Sequence, residues 1–402
     1  MTRFGKLWAG QTISQFGDRI TELALPVIAV VTLSAGPTQV GLLTAAIWTP
    51  NLFAVLVGPW VDRRPDRRRL LIAADLLRAA ALMSLPVAHW LGAVTLTQLF
   101  AVALLAGAGQ VLFSSAYPSF FVALVHRDRY VDANSKLSIS RSASFVAGPA
   151  LGGLLIQALT APVALLADAL SFLASALLIT RIKVGPAPVA ASSSALSGLR
   201  YVLRHEYLRA GLGCVTTVNF FGFVAQALLV LFATRTLGLP VSLLGLALGV
   251  GAFGGLAGAA LAPRLSRRFG VGRTMVLGAV LFPAPTAAIA LAAGPPWPAA
   301  TVLAAAEAVA GFGVMLMDIN LNSVNAVAMA DEMRSRVAGV YGTINYGARP
   351  VGAVVGGLLG DLLGLRPTLL LAAVGGVLGS LWLIRSPMPR VRTMEDVTPV
   401  PV

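Results

Sequence analysis

The chain has 402 residues, 57% of them hydrophobic and only 11% charged, with a net charge of +14. Soluble globular proteins carry about 25% charged residues, so this chain lacks the polar surface to coat a water-soluble body, and nucleic-acid binding is a poor account of its basic excess. Apolar stretches of about 20 residues, the length that crosses a bilayer, recur from end to end and mark a polytopic membrane protein.

Breaks at glycine, proline and charge divide the chain into twelve predicted spans, near 10–33, 38–59, 70–91, 95–117, 136–158, 162–180, 211–234, 241–262, 273–293, 299–322, 337–360 and 366–384. In lipid each must be helical, because no water satisfies open backbone groups. The fold class is therefore all-α integral membrane. The one long polar break covers 181–210. Residues 184–194 are rich in Pro, Ala and Ser and read as a linker, whereas 196–209 space apolar and basic residues as an interfacial amphipathic helix does. The domains predicted are a six-helix bundle over 1–183, a cytoplasmic linker with its amphipathic helix over 184–210, a second six-helix bundle over 211–385 and a cytoplasmic tail over 386–402.

Of the 30 basic residues, only Arg235 and Arg366 fall in outer loops and only Arg19, Arg78, Arg141 and Arg349 inside spans. The rest mark one side, which places both termini in the cytoplasm by the positive-inside rule. A shift of 204 residues lays Gly152-Gly153-Leu154-Leu155 on Gly356-Gly357-Leu358-Leu359, Arg63 and Arg64 on Arg267 and Arg268, and Glu22 on Gln226. Two parallel six-helix halves are a known transporter plan, with the substrate site near the bilayer midplane.

An ionisable side chain inside a span disfavours insertion by at least about 2.5–3.5 kcal/mol and needs a reason to be there. Asp18 and Glu22 lie one turn apart on one face of span one, about 6 Å along the axis, and Arg19 is spaced to pair with Glu22. From a span starting near Gly10, Glu22 lies about 18 Å deep. These two carboxylates and Glu307 of span ten are the predicted proton-coupling groups. Arg19, Arg141 and Arg349 are their predicted charge partners, with Glu307 either lining the cavity or pairing with Arg141 or Arg349. Asp75 and Arg78 read as a structural pair, Asp168 as a cap or a site, and Asp318 as part of a polar cluster with Asn320, Asn322 and Asn325. Trp48, Asn51, Asn219, Phe223, Gln226, Tyr341, Asn345 and Tyr346 are the predicted lining of an amphipathic substrate cavity.

Between spans two and three the chain reads Gly58-Pro59-Trp60-Val61-Asp62-Arg63-Arg64-Pro65-Asp66-Arg67-Arg68-Arg69. It resembles the loop signature of the major facilitator superfamily, with Gly58, Asp62, Arg63, Arg67 and Arg68 as the matching positions; Trp60 and Pro65-Asp66 depart from it. The resemblance implies that Gly58 lets helices approach and that Asp62 caps a neighbouring helix. Gly148, Pro149, Gly152 and Gly153 in span five resemble the end of that superfamily's antiporter signature, although Ser140 and Ser144 stand where its earlier glycines belong. Ala103 occupies the place where many of its proton-driven drug exporters carry an arginine. Trp8-Ala9-Gly10-Gln11, Gly17-Asp18-Arg19-Ile20-Thr21-Glu22 and Asp168-Ala169-Leu170-Ser171-Phe172 are similar to the macrolide-efflux, enterobactin-exporter and Tap-like multidrug exporter branch. The resemblance implies the major facilitator fold and secondary active export of amphipathic small molecules such as drugs and antibiotics, by drug:proton antiport with alternating access.

A siderophore or lipid exporter of the same fold is the alternative within this class. A non-transporting receptor or a membrane-embedded enzyme is the alternative outside it, and no catalytic constellation suggests an enzyme. The single cysteine, Cys214, and the scattered His89, His126 and His205 give no metal-site spacing. No G-x-x-x-x-G-K-[ST] occurs, so no ATP site and no cofactor is expected. The expected partners are a small-molecule substrate, protons and the lipid bilayer, with no nucleic acid, in a monomer of the bacterial inner (cytoplasmic) membrane.

Overall fold

The computed structural model describes residues 2–64, 66–182 and 195–397. Among them every regular element is helical: α1 (Arg3–Val27), α2 (Pro37–Trp48), α3 (Ala54–Asp62), α4 (Arg67–Trp90), α5 (Leu96–Leu124), α6 (Tyr130–Leu159), α7 (Ala161–Thr180), α8 (Ala195–Arg204), α9 (Glu206–Leu231), α10 (Val241–Phe269), α11 (Val271–Leu281), α12 (Thr286–Leu291), α13 (Pro296–Ala328), α14 (Arg334–Leu363), α15 (Leu365–Leu378) and α16 (Leu381–Ile384). Helix lies over each predicted span, and nine helical stretches among the described residues are long and apolar enough to cross a membrane. The expected linker over 184–194 and the last residues of the tail, 398–402, lie outside the described residues.

The breaks follow local chemistry. α2 and α3 are separated by a 3₁₀ segment, Thr49–Phe53, where Pro50 removes a backbone donor. Two prolines, Pro283 and Pro285, divide α11 from α12. Pro149 instead sits inside the continuous α6. Capping side chains fix the starts: Asp66 accepts from Arg69 N at 3.1 Å and Thr95 from Gln98 N at 3.2 Å.

The contacts divide the chain into two units, one of Met1–Ser192 with Leu239–Gly249 and the other of Ser193–Gly238 with Val250–Val402. In unit one α7 packs on both α1 and α4, and α6 packs on α1. In unit two α9 packs on α14 and α15. A Cβ on Gly152 would touch Ile20, and one on Gly356 would meet Val224, 204 residues further along in both cases. The glycine pair seen in the repeat therefore brings an equivalent helix pair together in each unit.

One expectation changes here. The apolar side of α8, predicted to lie in the lipid interface, packs on protein: Val202 is fully buried, Gly198 abuts the Arg336 backbone, and the Tyr201 hydroxyl accepts from Ala330 N at 3.3 Å. The ends of α13 and α14 offer partners for both the ring and the hydroxyl of Tyr201, which lipid would not. The segment 386–397, part of the expected tail, is bound to unit two. Val271 N and Gly272 N donate to Arg392 O and Val391 O at 3.2 and 2.9 Å, and Met388, Val391 and Val397 are buried. Asp396 accepts from Arg392 N and Thr393 N, which holds its carboxyl below the usual carboxylate range.

Candidate functional site

In unit one α1 carries the groups singled out by the sequence. Arg19 pairs with Glu22 at 2.6 Å, one turn along the helix. The guanidinium has room because α6 presents glycine opposite it: a Cβ at Gly148 would fall 2.6 Å from Arg19 Cγ. The Phe145 ring stands 5.2 Å from Arg19 Cζ. The Glu22 side chain is 58% exposed, so an open space reaches it. The rest of the antiporter-like segment builds a close seam to the start of α10. A Cβ on Gly153 would lie 2.8 Å from Val241 O, and one on Gly245 would strike Pro149 O.

Asp18, one turn before Glu22, binds Arg78 of α4. This corrects the expected Asp75–Arg78 pair: Arg78 crosses to another helix and lies 3.8 Å over the Phe172 ring of α7. Asp168 is fully buried beside it, accepting the hydroxyls of Thr21 and, at 2.9 Å, Ser171. Gly17 makes this junction possible, because a Cβ there would collide with Asp168 and Ser171. Arg78, Thr21 and Ser171 were not singled out as site residues. The signal for them was that a lone intramembrane arginine demands a partner, which helical spacing places at the nearest turn and the fold places on another helix.

The loop signature resolves into separate tasks. Arg68 closes the C-terminus of α7, donating from Nε to Ile179 O at 3.2 Å and from Nη2 to Thr180 O. Arg67 is buried, and Arg64 lies 4.8 Å from the Trp60 ring. Arg63 is exposed just after Asp62, which ends α3 and whose side chain lies outside the described residues. Gly58, expected to permit a helix approach, meets no atom of another helix among the described residues within 4 Å of where its Cβ would be. That reading is corrected: those residues leave open space there.

In unit two Arg349 lies against the rings of Tyr346 at 4.5 Å and Phe223 at 5.2 Å, and its charge acts on Asp318 of α13. Glu307 makes no ion pair among the described residues. Its backbone abuts Gly251 of α10 instead. The charge of Arg141 in unit one falls on Tyr117. Of the expected cavity residues, Tyr346 and Gln226 are exposed and Phe223 is buried. Asn219 donates to Val215 O at 3.0 Å, Asn51 to Trp48 O at 3.3 Å, and Tyr341 to Leu208 O at 2.5 Å. Trp48 and Asn345 are half-buried. Asn320 donates to Leu316 O at 2.7 Å and accepts from Ser266, so part of the polar cluster near Asp318 knits α13 to α10. Among the described residues no group of three or more His, Cys, Asp or Glu is arranged to hold a metal.

The sequence profile of the Major Facilitator Superfamily matches residues 7–353 and again 212–397. The chain belongs to the Major Facilitator Superfamily. Its relatives include proteins named multidrug efflux pump Tap. The one from Mycobacterium tuberculosis is 28% identical over 394 residues, covering 93% of this chain and 91% of the relative. The one from Mycolicibacterium fortuitum is 26% identical over 395 residues, covering 94% of each. Among solved structures, the nucleoside transporter NupG aligns with a TM-score of 0.74 at 14% identity, over 99% of this chain and 100% of that one. As a superfamily member the chain is a multi-pass membrane transporter of small molecules and not an enzyme, and its bacterial efflux-pump relatives agree with the bacterial inner membrane.

Proposed function

We propose that this transporter exports amphipathic small molecules, drugs and antibiotics among them, by exchange for protons through alternating access. In this reading twelve spans form two six-helix halves with both termini in the cytoplasm, and the chain works as a monomer without a cofactor. The observation that carries the reading is the Arg19–Glu22 ion pair, seated in the Gly148 notch with Glu22 open to its surroundings. The name borne by the Tap relatives supports the substrate class.

A proton arriving on Glu22 removes its charge and releases Arg19. A cationic or amphipathic substrate near the same carboxylate competes with that proton, which is the elementary requirement for exchange. Asp18 and Glu307 are the further proton-coupling groups of this reading, and Arg19, Arg141 and Arg349 balance the carboxylates. Phe223, Tyr346, Gln226 and Asn345 supply apolar surface and amide contacts for an amphipathic cargo. In proteoliposomes with an imposed pH gradient and ethidium as probe, Glu22→Gln abolishes gradient-driven transport while the protein still inserts. Undiminished transport by that variant overturns the reading.

A further inference from the structure

Unit one holds a second set of charges beside the Arg19–Glu22 pair, of which the antiport reading uses only Asp18. Asp18 on α1, Asp75 and Arg78 on α4, and Asp168 on α7 converge on one interior position. Arg78 binds Asp18 and its charge also acts on Asp75 and Asp168. Three carboxylates thus gather at one guanidinium, whose charge also reaches Glu22 one turn along α1.

One cation balances one carboxylate, and an uncompensated buried carboxylate takes up a proton rather than remain charged. Among the described residues of the packed helices no second cation stands by. Arg19 on α1 is already paired with Glu22. α5 carries no charged residue. On α6, Lys136 pairs with Asp132 at 3.0 Å, and Arg141 acts on Tyr117. An independent sign comes from α4 and α7. Asp75 is 1% exposed, and its Oδ2 finds no well-formed hydrogen bond among the described residues, its one polar neighbour being the buried Ser175 hydroxyl. A proton on Asp75 removes the buried charge and turns that oxygen into a donor. A metal ion is not the occupant, because the carboxylates are spread around Arg78 and form no metal-holding group among the described residues.

We propose that Asp18, Arg78 and Asp168, with Asp75, form a proton-binding site distinct from the Arg19–Glu22 pair. At this site Arg78 changes partner between Asp18 and Asp168 as a proton passes between them. The step is balanced: protonated Asp168 and ionised Asp18 become ionised Asp168 and protonated Asp18, with the guanidinium following the negative charge. The O–H bond to Asp168 breaks, the O–H bond to Asp18 forms, and the net charge of the site is unchanged. The shift alters the tie of α4 to α1 and α7 and so gives a protonation event a mechanical consequence. The use of this site in transport rests on the antiport reading; its protonation does not.

Infrared spectra of the purified full-length protein in detergent, recorded from acid to alkaline pH, test the site through the C=O band of protonated carboxyl groups. The wild type shows such a band at neutral pH. Asp168→Asn shrinks it, and Asp75→Asn does the same. Absence of the band in the wild type at neutral pH overturns the proposal, and that reading needs no variant to fold. A band untouched by both aspartate variants but lost in Glu22→Gln overturns it too, while leaving proton exchange at Glu22 standing. A band that survives Glu22→Gln and shrinks in the aspartate variants supports the site even if Glu22→Gln transports normally, in which case the Glu22 mechanism alone has failed.

Discussion

The two units build one helix corner twice and fill it with opposite chemistry. In unit one, where α1, α4 and α7 meet, Asp18, Arg78, Asp168 and Ser171 meet in the interior. The positions 204 residues further along, in α9, just beyond the end of α11, and in α15, are Gly222, Phe282, Ala372 and Gly375. There the Phe221 ring lies where a Cβ on Gly375 would be, and Pro283 lies against Gly376. Gly17, the counterpart of Phe221, leaves in unit one the room that Asp168 and Ser171 occupy. An apolar filling suffices to bring these helices together, as unit two demonstrates. The charges of unit one are therefore not required by the packing, and inside a membrane such charges are retained for function.

The comparison is broken most severely at its centre. Arg78→Leu leaves Asp18 and Asp168 without their cation and destabilises the full chain by about 3–5 kcal/mol, whereas Phe282→Leu at the matching place loses less than about 1.5 kcal/mol. Thermal unfolding in detergent measures both, and equal losses would sink the distinction between the corners. Gly375→Val drives a branched side chain into the Phe221 ring and lowers stability by about 1–3 kcal/mol through overpacking. The same measurement checks it, and an unchanged Tm means the ring has room to move.

A smaller contrast lies at the turns that follow α6 and α14. Thr160 and Gly364, again 204 residues apart, share one left-handed backbone conformation, with φ of 99° and 89°. Glycine adopts it freely, whereas threonine is strained there. Thr160→Gly therefore stabilises unit one by about 1 kcal/mol, and a lowered Tm refutes the strain.

The smallest effect belongs to unit two, which places a titratable group just outside its spans. His205 stands between the Tyr201 and Tyr207 rings, with centroids 6.2 and 5.8 Å away, and is 2% exposed. Burial holds its imidazole below the ordinary value of about 6.5, against the opposing pull of Glu206. The unfolded chain thus binds this proton more readily than the folded one, so stability falls as pH drops through about 6.5 and is flat above it. Comparing the pH dependence of Tm for the wild type and His205→Phe isolates that slope, and parallel curves exclude His205 as its source.

Several parts of this picture were legible before any coordinates. Long apolar runs placed the spans, because a membrane leaves a 20-residue stretch no choice but helix. The Arg19–Glu22 pair was readable from its spacing, since residues three apart share a helix face. Arg78 was not readable in the same way. Its local neighbour Asp75 satisfied the spacing rule, while its actual partner, Asp18, is 60 residues away. Asp318 poses the same difficulty, since nearby Asn320, Asn322 and Asn325 look sufficient while the charge that acts on it is that of Arg349 on another helix. Gly58 errs in the other direction, since a motif position is not evidence of a contact.

The sequence alone determined that the chain is helical and membrane-embedded, because hydropathy and scarce charge are one-dimensional quantities. Only the tertiary structure decided which buried charge answers which. An ion pair depends on two side chains meeting across a helix interface, and that meeting is set by the glycines and ring faces of a third helix rather than by distance along the chain.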